Sequence, residues 1–179
     1  IGLFMFAMGA GSYLTKGMSR DLVANFVMIE IAISLVGGLV SIVLFLVFPY
    51  DVFYRPVMYG LIIVIGTLVG LEIPILTRVL SQSASLRRSI AHVLSLDYLG
   101  ALIGSVSFPL LLLPFLGLFR SSFSIGLLNV LVALINVVVF ARLLGRPKLL
   151  GVLTATVGVL LVVGMCSATA LTSFAEGRL

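Results

Sequence analysis

Long apolar segments dominate the sequence and restrict the chain to one class of fold. Six of them, separated by short connections, lie near 1–14, 22–48, 57–77, 98–116, 122–142 and 149–171. A helix needs about 20 residues to cross the hydrocarbon core of a bilayer, and most of these segments reach that length. Charged residues make up 9% of the chain, whereas soluble domains contain about 25%. We therefore predict a single domain over residues 1–179, an all-α polytopic transmembrane bundle of about six helices.

The first segment differs from the others because it is short for a membrane span. The chain begins at Ile1, and no basic stretch precedes the apolar run, so the run does not have the pattern of a signal peptide. We expect one more membrane helix upstream of Ile1. Cys166 is the single cysteine, which excludes a disulfide within the chain.

Basic residues mark alternate connections between the segments. Those after the first, third and fifth segments contain Lys16, Arg20, Arg78, Arg87, Arg88, Arg142, Arg146 and Lys148. The other connections contain Arg55 and Arg120. Because basic loops stay on the cytoplasmic side, the first set should be cytoplasmic and the C-terminal tail should lie outside. We expect a multi-pass protein of the cell membrane, in a bacterial or archaeal inner membrane.

The stretch before the fourth segment permits two interpretations. Residues 86–96 place apolar side chains on one helical face and Arg87 and Arg88 elsewhere, which is typical of a helix lying in the membrane interface. An ordinary basic loop fits the same residues.

Small residues indicate where helices approach each other closely. Gly66 and Gly70 form one GxxxG pattern, and Gly100 and Gly104 form a second, which Ser107 extends. In lipid, such positions let two helix backbones come together. Both patterns therefore predict packing faces.

Three acidic residues in or directly beside the apolar segments are candidates for a binding site. They are Glu30, Glu72 and Asp97. A charge at the bilayer centre costs about 2.5–3.5 kcal/mol on insertion scales, so an acid there suggests a functional cavity. For Asp97 an alternative is a purely structural role as the N-cap of its helix. Glu30 and Glu72 could instead be protonated and hydrogen-bonded to a neighbour.

Pro74 adds a reason to suspect a site beside Glu72. A proline has no N–H to donate to the carbonyl of Gly70, which loosens the helix around Glu72. Unsatisfied backbone at membrane depth persists only where protein or a wet cavity compensates it. A carboxylate beside a freed carbonyl would favour a cation.

Other chemistry finds little support in the residues. Asn129 and Asn136 share a helical face and could be ligands or hydrogen-bond partners between helices. His92 is the single histidine, so a histidine-based metal site is unsupported. We predict no catalytic constellation, no cofactor, no metal site and no nucleic-acid partner in these residues. Whether the parent protein is an enzyme stays open at this point.

Several motifs together resemble a known family. IGLFMFAMGAGSYLTK, LEIPILTR and VLSLDYLGALIGSVSFPLLLLPFLG are similar to the membrane domain of multi-pass spermidine-synthase-like proteins. In that family a helical membrane region precedes a polyamine aminopropyltransferase domain. The positions with family-like residues are Glu72, Pro74, Arg78, Asp97, Tyr98, Gly100, Gly104, Pro109 and Pro114. The resemblance implies that a soluble synthase-like domain follows in the parent protein and that no transferase activity resides in these residues.

Three functions are compatible with these features. The leading hypothesis is a membrane domain that anchors, and also feeds, a polyamine aminopropyltransferase domain, with Glu30, Glu72, Asp97, Asn129 and Asn136 binding a polyamine or other organic cation. A small stand-alone transporter of cationic solutes is the first alternative. A structural, oligomerising membrane anchor is the second. The expected partners are the lipid bilayer, an organic cation, the synthase-like domain and further copies of the chain.

Overall fold

The computed structural model describes residues 1–18, 21–81 and 86–176, with side chains described in 1–18, 21–81 and 88–168. All regular elements in these ranges are helical. The helices are α1 (Gly2–Leu14), α2 (Leu22–Val47), α3 (Asp51–Ser81), α4 (Leu86–Ser107), α5 (Leu113–Val139) and α6 (Pro147–Glu176). A short 3₁₀ turn, Thr15–Gly17, follows α1, and a π-helical turn, Phe108–Leu112, joins α4 to α5.

The helical bundle predicted from the apolar segments is confirmed, but the count of six membrane helices is too high. Among the described residues, four runs are long and apolar enough to cross a membrane, namely Leu22–Val47, Asp51–Ser81, Arg88–Val139 and Pro147–Ala168. The third run contains a break, so four to five helices qualify. At 1.5 Å per residue, α1 is only about 20 Å long, which is shorter than the hydrocarbon core of about 30 Å.

The break lies at Gly117, where three residues act together. Pro109 and Pro114 cannot donate backbone hydrogen bonds. The π-helical turn ends with the N–H of Leu113 bonding to the carbonyl of Phe108, one residue beyond the α-helical partner. Gly117 has φ 71° and ψ 178°, a conformation that glycine adopts without the steric cost of a Cβ. The chain reverses direction at this break. As a result, the first half of α4 and the second half of α5 line the same cavity.

Helix α2 occupies the centre of the bundle and packs against α3, α5 and α6. One apolar cluster includes Val27, Phe123 and Leu161 from α2, α5 and α6. A second cluster includes Phe26 and Ile75, between α2 and α3. These two clusters hold α2 on opposite sides, so its remaining faces can carry polar residues inside the bundle.

The face of α2 that carries Glu30, Ser34, Gly38 and Ser41 points inward, as the pattern of small and polar residues indicates. Ser34 donates a hydrogen bond of 2.6 Å to the carbonyl of Glu30 in its own helix. A Cβ on Gly126 of α5 would lie 2.8 Å from the carbonyl oxygen of Ser34. The two helices therefore approach closely at the middle of this face.

The first GxxxG pattern forms a packing face as predicted. A Cβ on Gly70 would overlap the carbonyl oxygen of Met8, and a Cβ on Gly11 would overlap that of Thr67. A Cβ on Gly66 would lie 2.9 Å from the Cβ of Ala7. Since these obstacles are mostly backbone atoms, α1 and α3 are in contact along this seam, and the GAGS stretch contributes to helix packing.

The second GxxxG pattern makes no packing contact within the described residues, so its packing face stays a prediction. Gly100 and Gly104 lie on an exposed face of α4, and no heavy atom lies within 4 Å of an added Cβ at either position. Helix α4 packs against α3 but makes no such contact through its glycines.

Two further predictions about α4 need correction. The stretch 86–96 is neither a separate interfacial helix nor a loop, because it forms the first half of a continuous helix. Since α4 begins at Leu86, Asp97 lies in the helix interior and is not an N-cap. The side chains of Leu86 and Arg87 lie outside the described residues.

Candidate functional site

A cavity of about 290 Å³ lies between α2, α3, α4 and the second half of α5. Its described lining consists of Phe26, Glu30, Glu72, Ile73, Leu76, Leu80, His92, Val93, Leu96, Asp97 and Val132. Three carboxylates thus reach one cavity from three different helices. We call it the acidic cavity.

Each carboxylate is positioned by a separate element. Glu30 lies roughly 13 Å from the N-terminal end of α2 and is only 6% exposed. Glu72 is half-buried near the C-terminal end of α3, and Asp97 is exposed on the first half of α4. Glu72 lies within Coulombic range of both Glu30 and Asp97. The three acids therefore line one cavity, and its position in the cytoplasmic half stays a prediction.

Helix α3 presents two different faces to its neighbours. Gly66 and Gly70 contact α1, whereas Glu72, Ile73 and Leu76 face the acidic cavity. Pro74 lies inside α3, and the helix continues through it from Asp51 to Ser81. The carbonyl of Gly70 still lacks its usual helical donor, because proline has no N–H. The predicted loosening of α3 around Glu72 is thus limited to the missing hydrogen bond at the carbonyl of Gly70, and the helix does not end there.

The charges around the acidic cavity are unbalanced. No lysine or arginine is among its described lining residues, and His92 is the one nitrogen base there. Within the described part of the chain, no group of three His, Cys, Asp or Glu side chains is close enough to hold a metal ion. The carboxylates are therefore near enough to share a cavity but too widely spaced to surround a single metal.

His92 is a lining residue that the sequence argument did not select. His92 is the single histidine, and the single cysteine, Cys166, lies far from it in the sequence, so composition gives no sign of a site there. The signal that could have identified it is helical spacing, since His92, Val93, Leu96 and Asp97 fall on one face of α4. All four line the acidic cavity.

The structure does not place Asn129 and Asn136 with the carboxylates. Neither is among the described lining residues of the acidic cavity, although Val132 between them is. Asn136 donates a hydrogen bond of 2.8 Å to the carbonyl of Val132 in its own helix. Their predicted part in ligand binding thus has no geometric support.

The other family-like residues lie outside the cavity. Arg78 donates hydrogen bonds of 2.8 Å and 3.1 Å to the carbonyls of Thr15 and Met18. Tyr98 is exposed on α4. Pro109 and Pro114 belong to the turn that joins α4 to α5. These residues shape the bundle rather than the cavity.

Comparison with known proteins finds bacterial relatives along the whole chain. A protein of Leptospira interrogans named polyamine aminopropyltransferase is 40% identical over 179 residues, which is 100% of this chain and 36% of the relative. Polyamine aminopropyltransferase 2 of Ralstonia nicotianae is 39% identical, with 100% of this chain and 36% of the relative covered. The polyamine aminopropyltransferase of Oceanobacillus iheyensis is 36% identical over 92% of this chain and 33% of its own length.

The chain spans about a third of the length of these curated relatives. No family profile matches it. No solved structure matches it either. The relation thus rests on sequence identity to a part of longer proteins.

Proposed function

We infer that this chain, which belongs to the bacterial polyamine aminopropyltransferase family, is a membrane domain that anchors a synthase domain and binds the polyamine of that domain near the membrane surface. The chain corresponds to about a third of the length of its relatives. The relatives' names and this partial coverage support the anchoring role. The acidic cavity supports the binding of a polyamine.

The convergence of three carboxylates carries the proposal. An acid buried in a membrane protein is costly unless a cation, water or a hydrogen bond compensates it. The described lining supplies no lysine or arginine as a partner. A cationic ligand would compensate all three acids at once, and water could replace it when the site is free.

The spacing of the carboxylates favours a polyamine over a metal ion. A metal ion would need its ligands gathered around one point, which the described residues do not provide. A polyamine carries ammonium groups separated by short methylene chains. Glu30, Glu72 and Asp97 could each take one of these groups, while Leu76, Leu96 and the other apolar lining residues contact the methylenes. The cavity volume of about 290 Å³ is at the small end of ligand cavities, which suits a slender chain.

Calorimetric titration of the purified protein with spermidine tests the proposal. Glu30→Gln and Glu72→Gln keep the size of the side chain but remove its charge. Each should weaken binding by about 1.5–3 kcal/mol, the range for losing a hydrogen bond to a charged group. Asp51→Asn is a matched control, because Asp51 is an exposed carboxylate at the opposite end of α3. It should bind as tightly as the unmodified protein.

Monoamines provide a second control. Butylamine carries a single ammonium group and should bind much more weakly than spermidine if several carboxylates act together. Protein that binds no polyamine would contradict the cavity's part in the proposal and leave the acids with a structural role. Equal binding by butylamine and spermidine would contradict the use of spaced carboxylates.

A further inference from the structure

We propose that the bundle binds one acyl chain of a membrane phospholipid in a second cavity, at the end opposite the acidic cavity. This apolar cavity has a volume of about 770 Å³ and lies between the last turns of α2, the beginnings of α3 and α5, and the π-helical turn. The volume is within the range of about 300–1,000 Å³ that is usual for ligand sites. The proposal does not depend on polyamine binding.

The lining of the apolar cavity matches hydrocarbon. Its walls include Leu44, Phe45, Phe119 and Ile125, and no charged residue is among its described lining residues. Phe45 and Phe119 pack edge to face with their ring centroids 5.5 Å apart. Such a surface disfavours a polyamine, so the two cavities select different ligands.

The two serine hydroxyl groups of the lining already have partners. Ser122 donates a hydrogen bond of 2.7 Å to the carbonyl of Gly37. Ser41 makes a longer contact of 3.5 Å with the carbonyl of Leu118. Because their protons are directed to backbone carbonyls, these serines join α2 to α5 and do not need a hydrogen-bond acceptor on the ligand. A ligand without hydrogen-bonding groups along its length therefore fits the cavity.

The length of the cavity matches one leaflet of the membrane. Its lining on α2 extends from Gly37 to Phe48, roughly 16 Å at 1.5 Å per residue. Half of the hydrocarbon core is about 15 Å thick. The cavity occupies the half of the bundle away from the basic connections, so by the distribution of loop charges it lies in the outer leaflet.

The cavity is open towards the surrounding lipid and has an aromatic border. Phe48 is 59% exposed and Leu118 is 54% exposed, and both belong to the lining. Phe48 and Tyr54 pack edge to face with centroids 5.7 Å apart. Tyrosine is enriched at the level of lipid headgroups, where its hydroxyl remains hydrated. An acyl chain could therefore enter sideways with its headgroup near Tyr54.

A close helix crossing separates the two cavities. On α2, Ser34 lies between Glu30 of the acidic cavity and Gly37 of the apolar cavity. A Cβ on Gly126 would lie 2.8 Å from the carbonyl oxygen of Ser34 and 3.0 Å from Leu161. These contacts join α2, α5 and α6 between the acidic and the apolar cavity. A ligand in one cavity thus does not extend into the other, and each can be tested separately.

Native mass spectrometry of the protein purified in mild detergent tests this site. Gly37→Leu should fill the cavity, because Gly37 belongs to the lining and an added Cβ meets nothing within 4 Å. Gly104→Leu is the matched control, since Gly104 is equally unobstructed but lies on the exposed face of α4. A second variant, Ile125→Trp, blocks the cavity from α5.

The unmodified protein and Gly104→Leu should each retain one phospholipid. Gly37→Leu and Ile125→Trp should retain about tenfold less, because their side chains occupy the volume that the acyl chain needs. Equal retention in all four proteins would overturn the proposal. So would retention of a quinone or of no lipid by the unmodified protein. Equal melting temperatures of Gly37→Leu and Gly104→Leu in detergent would show that the filled variant is folded.

Discussion

Arg78 shows how one side chain can hold two helices together. It extends from the last turns of α3, and its guanidinium group donates to the carbonyls of Thr15 and Met18. A further contact of 3.4 Å reaches the hydroxyl of Thr15. The carbonyl of Thr15 also accepts a hydrogen bond of 3.0 Å from the N–H of Met18. Arg78 therefore adds donors to the carbonyls that follow the end of α1 and connects this turn to α3.

Arg78→Gln should lower the thermal stability of the detergent-solubilised protein. Hydrogen bonds to charged groups are worth about 1.5–3 kcal/mol each, and we expect a net loss of about 1–3 kcal/mol. Arg78→Lys should lose nearly as much, because an ammonium group cannot spread its donors in the fork of a guanidinium. Arg88→Gln is the control, as Arg88 is exposed on α4. Equal melting temperatures for Arg78→Gln and Arg88→Gln would exclude this role.

The acidic residues of the site could be predicted from the sequence, whereas their partners could not. Glu30, Glu72 and Asp97 are conspicuous because an ionised group in an apolar segment is costly. Asn129 and Asn136 carry no such cost, and the hydrogen bond described for Asn136 stays within its own helix. His92 was missed because its importance depends on which helix faces which. Which helices face each other is determined by how the helices pack, and the spacing of residues within one segment does not reveal it.

At the scale of elements, the contact of α1 with α3 depends on glycine. Gly11, Gly66 and Gly70 remove side chains where the two backbones meet. Close backbone approach increases dispersion contacts, which drive helix association in lipid because no hydrophobic effect operates there. Helix α1 is too short to span the membrane, so this seam and the Arg78 contacts fix its position.

Gly70→Ala should therefore destabilise the protein and displace α1. The new methyl group would overlap the backbone carbonyl of Met8, which cannot move unless the whole helix moves. Overpacking of this kind costs about 1–3 kcal/mol. Gly100→Ala should be neutral or slightly stabilising, because that site is open and alanine favours a helix over glycine by up to about 1 kcal/mol. Thermal unfolding of both variants in detergent measures the difference, and equal stability would contradict the seam.

The elements themselves could be predicted largely from hydropathy, but their ends and breaks could not. The segment near 22–48 corresponds closely to α2. The segment near 57–77 is part of the longer α3, because Asp51 and Arg78 are polar yet helical. The segment near 98–116 proved to be the second half of α4 plus a turn. When the first or last residues of a helix are polar, local hydropathy does not show where that helix begins or ends.

At the scale of the whole molecule, two cavities of opposite character occupy opposite ends of the α2–α5 pair. The acidic cavity lies where α2 begins and α5 ends, and the apolar cavity lies where α2 ends and α5 begins. The basic connections lie at the acidic end. A polycation in the acidic cavity would thus lie at the end of the bundle that carries the basic connections.

This arrangement predicts which connections share a side of the membrane. Single cysteines in a Cys166→Ser background provide the test, at Gly17, Gly145 and Tyr50. All three positions are exposed, and both glycines have open space for a side chain. Ser121 is unsuitable for labelling because it is fully buried, and Ser19 and Ser83 lie outside the described residues.

An impermeant thiol reagent should label Tyr50→Cys in intact cells, but Gly17→Cys and Gly145→Cys only after permeabilisation. The physical reason is that basic loops are retained in the cytoplasm, and Lys16, Arg142, Arg146 and Lys148 lie beside the two glycines. The cysteines at Gly17 and Gly145 must show the same labelling pattern if α2, α3, the α4–α5 hairpin and α6 are arranged as described. Labelling of Gly145→Cys together with Tyr50→Cys in intact cells would show that the hairpin does not return to its starting side. The acidic cavity would then lose its cytoplasmic position, since α4 and α5 form two of its walls.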